Sequence, residues 1–327
     1  GIGRLHGLPV TIKDTIEVEG MPCTSGSPLL KEHIPSKNAD VVQSLVDAGA
    51  IVFGKTNVPL FGGDIQSFND VYGITNNPWD LARTPGGSSG GSAASLSAGL
   101  CGLEMGSDIG GSIRTPAHFC GLYGHKPSFG IVPDRGHVPP PPGIFTGNHS
   151  MVIDLVTIGP IARSIDDISL AMDLVVAPEQ SEKKAWRIEL PRPRQKTLSE
   201  YRIGVWFDDP ACPVDSSVGP ILQHAADELS KRGAHIREKH PDSDFAGTYD
   251  VFLSLLSAVM GSGAPSTLFD KWLDEAKDLA FDDQGYSAKN IRGATQLHNS
   301  WVRVDVVRQI IRQKWHEFFS DFDVLLC

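Results

Sequence analysis

ADVVQSLVDAGAIVFGKTNVP, residues 39–59, admits two readings, and the fold turns on the choice. Its middle, GAIVFGKT at residues 49–56, fits the phosphate-loop pattern G-x-x-x-x-G-K-[ST] letter for letter. A phosphate loop leaves a strand and opens a helix whose first N–H groups face the phosphates. Here the order is reversed. Val41, Val42, Leu45, Val46 and Ala48 recur at helical spacing, which predicts a helix over residues 39–48 with Gly49 as its stop. Ala50, Ile51, Val52 and Phe53, where bare loop would have to lie, form an apolar run that predicts a buried strand. Pro59 follows without any helical period. Helix–glycine–strand is the better reading, and nucleotide binding falls away.

Outward from this unit, strands and helices alternate. LPVTIKD (8–14), the AIVFGK run and DLVTIGPIA (154–162) predict strands; residues 92–103 and 165–176 predict helices. Ser164, three residues before Asp167, marks a capping box for the second of these. HVPPPPGIFTG, from His137, can be neither helix nor central strand and reads as an ordered loop or lid. The polar, proline-interrupted residues 179–200 read as a connector. Beyond it YRIGVWF predicts a strand, SVGPILQHAADELSKRGAHI a helix and strand, and residues 248–319 mostly amphipathic helices. Such alternation predicts an α/β fold, a mixed, largely parallel twisted sheet with helices on both faces. The division expected is a single domain over 1–327: a core at 1–178, the connector at 179–200, and the remainder at 201–327. The chain starts without Met inside a strand pattern and stops at Cys327 after another, FDVLL, which suggests missing flanks.

Composition narrows the function. A net charge of −10 disfavours a nucleic-acid or anionic-membrane surface, since both require clustered Lys and Arg. Five scattered cysteines fit reduced thiols and a cytoplasmic location better than a disulfide framework. No signal peptide and no run of 18 apolar residues is evident. Eleven histidines include no H-E-x-x-H, so no metal site is expected.

Two glycine–serine stretches stand out: TPGGSSGGSAASLSAGL at 84–100 and GSDIGGSIRTPAHFCG at 106–121. Backbone of this kind can present N–H groups to a phosphate or a developing oxyanion, although glycine and serine also serve plain turns and caps. Lys13 lies in the apolar strand LPVTIKD. Alternation turns it the way of Thr11, and a strand buried on both faces would enclose it. Such a lysine is commonly salt-bridged, with Asp14 the adjacent candidate; desolvated, it would lose its proton readily and could act as a base.

GGSSGGS at 86–92, GSDIGGSIRTP at 106–116 and FCGLYGHKP at 119–127 together resemble the amidase signature family, with GLPVTIKD and GKTNVP as further landmarks. The likeness is strong over roughly residues 5–170 and weaker to the end of the chain. It departs from the family at Leu60, where many relatives carry an acid, and at His125, where leucine is more frequent. The resemblance implies a Ser–Ser–Lys catalytic group: Ser112 as nucleophile, Ser88 as bridging serine in a cis peptide geometry, and Lys13 as base. It implies an oxyanion hole from the N–H groups of Ile109, Gly110, Gly111 and Ser112. Gly86, Gly87, Ser89, Asp108 and Arg114 would support the loops. The implied activity is hydrolysis of a carboxamide C–N bond through an acyl-serine, without metal, nucleotide or other cofactor. The implied partner is a small-molecule amide, with a homodimer allowed and neither nucleic acid nor membrane involved.

GSSGG at 87–91 also fits the nucleophile elbow G-x-S-x-G with Ser89 as nucleophile, but NPWDLARTPG before it is no strand. Two further readings are a glutamine-amidotransferase subunit that works beside tRNA-binding partners, and an inactive relative that only binds. The proline-rich loop and GHKP resemble stand-alone amidases more.

Overall fold

Gly49 settles the opening ambiguity. Its φ of +94° lets the chain reverse after α1 (Asp40–Asp47) and enter a strand at Ile51–Thr56. In this computed structural model, which describes residues 2–138, 153–280 and 282–327, the chain forms two compact units, Gly1–Glu189 and Leu190–Cys327. Their boundary falls inside the connector expected at 179–200. That segment holds no helix or strand before the 3-10 turn Leu198–Glu200, which carries a capping box between Thr197 and Glu200.

The first unit runs β1 (Pro9–Lys13), α1, β2 (Ile51–Thr56), β3 (Phe68–Asn69), β4 (Gly73–Ile74), α2 (Gly90–Ser97) and β5 (Leu103–Asp108). It continues through α3 (Arg114–Cys120), β6 (Tyr123–Gly124), β7 (Thr157–Ala162) and α4 (Ile165–Val175). Five of these strands make one sheet in the order β2-β1-β5-β7-β6. β1 is parallel to both β2 and β5, whereas β7 runs antiparallel to β5 and β6.

Strand alternation divides the sheet chemically. Val10, Ile12, Leu103, Met105, Ile158 and Ala162 point to one side, where Val42 and Leu45 of α1 and Ile168, Ala171 and Val175 of α4 close an apolar core. Leu96 of α2 and Ala117 of α3 pack with Ile161 in a second cluster. Ile161 is paired with Glu104, which itself lies opposite Thr11, so these residues line the other face. That face is the polar one. Ser164 caps α4 as expected, accepting from the Asp167 N–H at 3.1 Å and donating to its carboxylate at 2.7 Å.

Three expectations are corrected here. β2 is an edge strand, with Ile51 and Phe53 about half exposed instead of buried. The helix expected at 92–103 begins at Gly90 and ends at Ser97, because Gly99 (φ +72°) breaks it and the chain re-enters the sheet as β5. β5 itself, a central and wholly buried strand, was hidden within what reads as a glycine-rich loop. The proline run at 139–142 lies outside the described residues.

The second unit opens with β8 (Arg202–Val205), α5 (Gly219–Lys231) and β9 (His235–Glu238). Four helices follow, α6 (Phe245–Ser262), α7 (Ser266–Asp278), α8 (Tyr286–Ala294) and α9 (His298–Asp321), before β10 (Val324–Leu326). Its sheet, β10-β8-β9, is parallel throughout. Asp323 anchors it: its carboxylate accepts from the Arg202 backbone N–H at 2.9 Å and pairs with the Arg202 and Arg194 guanidiniums. Those bonds hold its carboxyl far below the usual range. β10 is half-buried, not fully buried as its apolar pattern suggests. By length and composition α6 could cross a membrane, its mean hydropathy being 1.2, although Asp250, Thr248 and three serines interrupt it and it is no unbroken apolar run. In this unit α6 packs against α8 and α9.

Candidate active site

Lys13, Ser88 and Ser107 come together at the C-terminal ends of β1 and β5. Lys13 is wholly enclosed (0% exposed), and its Nζ lies 2.7 Å from Ser88 Oγ, 3.0 Å from Ser107 Oγ and 3.3 Å from the Ser107 carbonyl. Among the described residues no carboxylate touches it, since Asp14 pairs with Lys55 at 3.2 Å. The suspected Lys13–Asp14 pair is thereby corrected: successive strand residues point to opposite sides, and the lysine that reaches Asp14 belongs to the false phosphate loop. Asp14 is held further by the Thr24 hydroxyl and N–H. Burial pulls Lys13 down to about 7, against the charges of Asp108 and Glu104, which favour the ammonium.

Ser88 enters from the loop before α2, with a cis Gly87–Ser88 peptide bond. Gly86 (φ +85°) turns that loop, and Gly87 lies so close to the backbone of residues 64–66 that a Cβ would meet Gln66 N at 2.6 Å. Ser67 Oγ ties the loop down, donating to the Gly86 carbonyl at 3.1 Å and accepting from the Gly90 N–H at 3.0 Å. Ser89 is also buried, but its hydroxyl faces the Ser107 carbonyl at 3.4 Å and no strand leads into it. The elbow reading with Ser89 as nucleophile therefore lacks its scaffold. The Ser89 N–H donates to the Ser112 carbonyl at 3.1 Å, joining the two glycine–serine loops.

The second loop is braced from inside. Asp108, fully buried at the end of β5, accepts from Gly111 N–H at 2.8 Å and Ile113 N–H at 3.0 Å. It also forms a two-point pair with the Arg114 guanidinium, at 3.0 and 2.8 Å. Burial alone would raise its carboxyl, yet the Arg114 bonds and charge with these N–H groups hold it below the usual range. Gly111 (φ +112°) leaves no room for a Cβ, which would lie 2.8 Å from Thr115 Oγ1. Of the four expected oxyanion donors, Gly111 thus has its N–H already committed to Asp108. Among the described residues, no acceptor meets the N–H groups of Ile109, Gly110 or Ser112. Ser112 sits between them and the start of α3, with 9% of its surface exposed.

Reading the sequence alone missed three residues. Ser107 is one, although it adjoins Asp108 in GSD. Glu104 is another: a carboxylate in the alternating run LEMG, whose period-two pattern was the available signal. The third is His137, buried and, among the described residues, with no hydrogen bond at either ring nitrogen; burial and the charge of Lys13 hold its imidazole down at about 3. Nothing in HVPPPP marks it. Among the described residues, no group of three His, Cys, Asp or Glu is placed to hold a metal, and all five cysteines are free.

A glutamyl-tRNA(Gln) amidotransferase subunit of Nostoc sp. is 36% identical over 241 residues, 72% of this chain and 47% of that protein. The chain thus spans about half the length of that relative. The corresponding protein of Gloeothece citriformis is 36% identical over 344 residues, covering 100% of this chain and 69% of its own. Among solved structures, its counterpart from Thermotoga maritima superposes with a TM-score of 0.77 at 26% identity, over 99% of this chain and 68% of that one. Fatty acid amide hydrolase shares the fold, with a TM-score of 0.77 at 24% identity over 98% of this chain and 55% of its own. The amidase family matches over residues 2–327, and the chain belongs to it.

Proposed function

We propose that the whole protein hydrolyses a carboxamide C–N bond through an acyl-serine, with Ser112 as nucleophile, Ser88 as proton bridge and Lys13 as base. One observation carries this reading: the enclosed Lys13 amine, lowered to about 7, is 2.7 Å from the Ser88 hydroxyl. As a free amine, Lys13 accepts a hydrogen bond from Ser88 and keeps two N–H groups for Ser107 Oγ and the Ser107 carbonyl. It then has a lone pair aimed at the serine that must pass a proton. Ser112 Oγ attacks the carbonyl carbon while its proton moves to Ser88 and that of Ser88 to Lys13. Ile109, Gly110 and Ser112 N–H groups receive the oxyanion, and Gly111 acts with Asp108 and Arg114 as the brace. The Lys13 ammonium returns the proton through Ser88 to the leaving nitrogen, and water completes the cycle on the acyl-serine. Neither metal nor nucleotide has a role in these steps, and no nucleic acid or membrane is required. The two units would act as one amidase domain, alone or as a homodimer, in the cytoplasm.

A second reading has a specific observation behind it, since the curated relatives at 36% identity carry the name of an amidotransferase component. The two are separated by offering the purified full-length protein aryl amides, simple carboxamides and free glutamine. A stand-alone amidase turns over the first two. Ammonia from glutamine alone would favour the amidotransferase reading. In either case Ser112→Ala should reduce turnover by at least about 10³-fold, since the nucleophile is lost. Retained turnover in a folded Ser112→Ala variant rejects both.

A further inference from the structure

Beneath the Lys13 amine lies a second enclosed ionisable group that the proposed chemistry does not use. Glu104 is fully buried in β5 directly opposite Thr11 of β1. Side chains alternate along a strand, so Lys13, two residues beyond Thr11, stands on the same face. The hydroxyls of Thr11, Thr56 and Ser92 and the Met105 N–H approach the Glu104 carboxyl, yet neither of its oxygens closes a hydrogen bond of normal length. Thr56 and Ser92 instead bond to each other at 2.9 Å. No cation forms an ion pair with Glu104 among the described residues.

Such an arrangement is costly as structure. A buried carboxyl without close hydrogen bonds or an ion-pair partner is destabilising, and an apolar residue of similar size would pack there without that penalty. We infer that Glu104 is a positioning residue for the Lys13 base: it supplies the buried negative charge that sets how tightly Lys13 holds a proton. This rests on the reading of Lys13 as the base. Burial alone drives a lysine toward so low a pKa that it takes a proton from a serine hydroxyl poorly. A neighbouring carboxylate opposes that fall. Asp108 acts on Lys13 more strongly, but Arg114 fixes its charge. Glu104 differs because burial raises its own carboxyl to about 7, so its charge develops over the pH range in which Lys13 loses its proton. The two titrate as a coupled pair.

Among the described residues, the other charged or titratable groups about the pair have settled partners or stay uncharged. Lys55 is bound to Asp14, and Arg163 donates to the Leu96 and Cys101 carbonyls. Cys101 is a buried thiol raised above its ordinary value, Lys126 faces Asp108 and Arg114, and His137 is a neutral imidazole. Glu104 is the group whose charge can vary.

The test is the pH dependence of kcat/KM for an amide, measured on the full-length enzyme. Glu104→Gln keeps the shape and removes the charge. It should move the acid limb toward lower pH by roughly one unit, the low end for loss of an opposite charge at close range. Glu104→Asp, which keeps the charge, should return the limb toward its wild-type position. An unmoved limb in folded Glu104→Gln, or one displaced toward higher pH, overturns the proposal. Should Glu104→Gln fail to fold, wild type and Lys13→Ala labelled with ¹³C at glutamate carboxyls decide the matter. Coupling is reciprocal, so the highest-titrating glutamate should titrate at higher pH once Lys13 is gone, and an unchanged midpoint overturns the inference. Lys13→Ala also separates the two claims. If its amide activity and acid limb survive, the reading of Lys13 as base fails. If the limb depends on Lys13 but ignores Glu104→Gln, only the role of Glu104 fails.

Discussion

Lys13 shows what a single residue's surroundings do to its chemistry. Enclosed by β1, β5 and the Ser88 loop, it is lowered to about 7, so the free amine becomes the major form as pH rises past that value. A base must begin neutral. Amide hydrolysis should therefore rise between roughly pH 6 and 8 and then level, a limb that a kcat/KM profile reads directly. The ammonium formed in acylation has a second duty, because an amine leaves poorly without a proton whereas a phenol departs without one. Lys13→Ala should thus lower kcat/KM for an amide more than for a matched ester. Equal losses would leave Lys13 only the first duty. At this scale the resemblance to the amidase family marked Lys13, Ser88 and Ser112 as candidates, and the structure places the first two 2.7 Å apart. Glu104, Ser107 and the Lys55–Asp14 pair were not legible, because they depend on which strands lie side by side and in what register.

Among the elements, α2 follows directly on the loop that holds Ser88 and meets the body of the first unit through glycine. A Cβ at Gly91 would lie 2.3 Å from Asn57 N and 2.5 Å from Asn57 O, both backbone atoms that cannot swing aside. Gly91→Ala therefore sets two effects against each other. Helix propensity favours alanine by up to about 1 kcal/mol, whereas forcing extra volume into a packed contact costs about 1–3 kcal/mol. The contact should win, and the urea midpoint should fall; a rise would show that α2 yields without cost. Helices α1 and α4 were readable from their period and cap. β5 was not: Leu103 and Met105 alternate with Glu104 and Gly106, but the pattern is brief and runs straight into glycine–serine loop. The length of α2 was overread for the same reason, since apolar Leu100 and Leu103 continue its composition past the break at Gly99.

For the whole molecule, the false phosphate loop makes a clean forecast. Gly49 to Thr56 is a turn and an edge strand whose lysine is bound to Asp14, so nucleotide has no cradle there. A ligand at 100 times its Kd stabilises a folded protein by about 2.7 kcal/mol, and millimolar Mg-ATP should leave the melting temperature where it was. The α/β class and the helical second half were legible from alternation. The half-exposed β2 was not, since it depends on pairings between distant segments. The central claim, that Ser112 bonds to the acyl carbon with Ser88 and Lys13 behind it, is tested most directly by covalent labelling. The full-length protein is treated with a fluorophosphonate, weighed intact and mapped by peptide sequencing. A single adduct on Ser112, greatly slowed in Lys13→Ala, is the result expected; an adduct on Ser89, or none in an enzyme that turns over amides, would contradict the account.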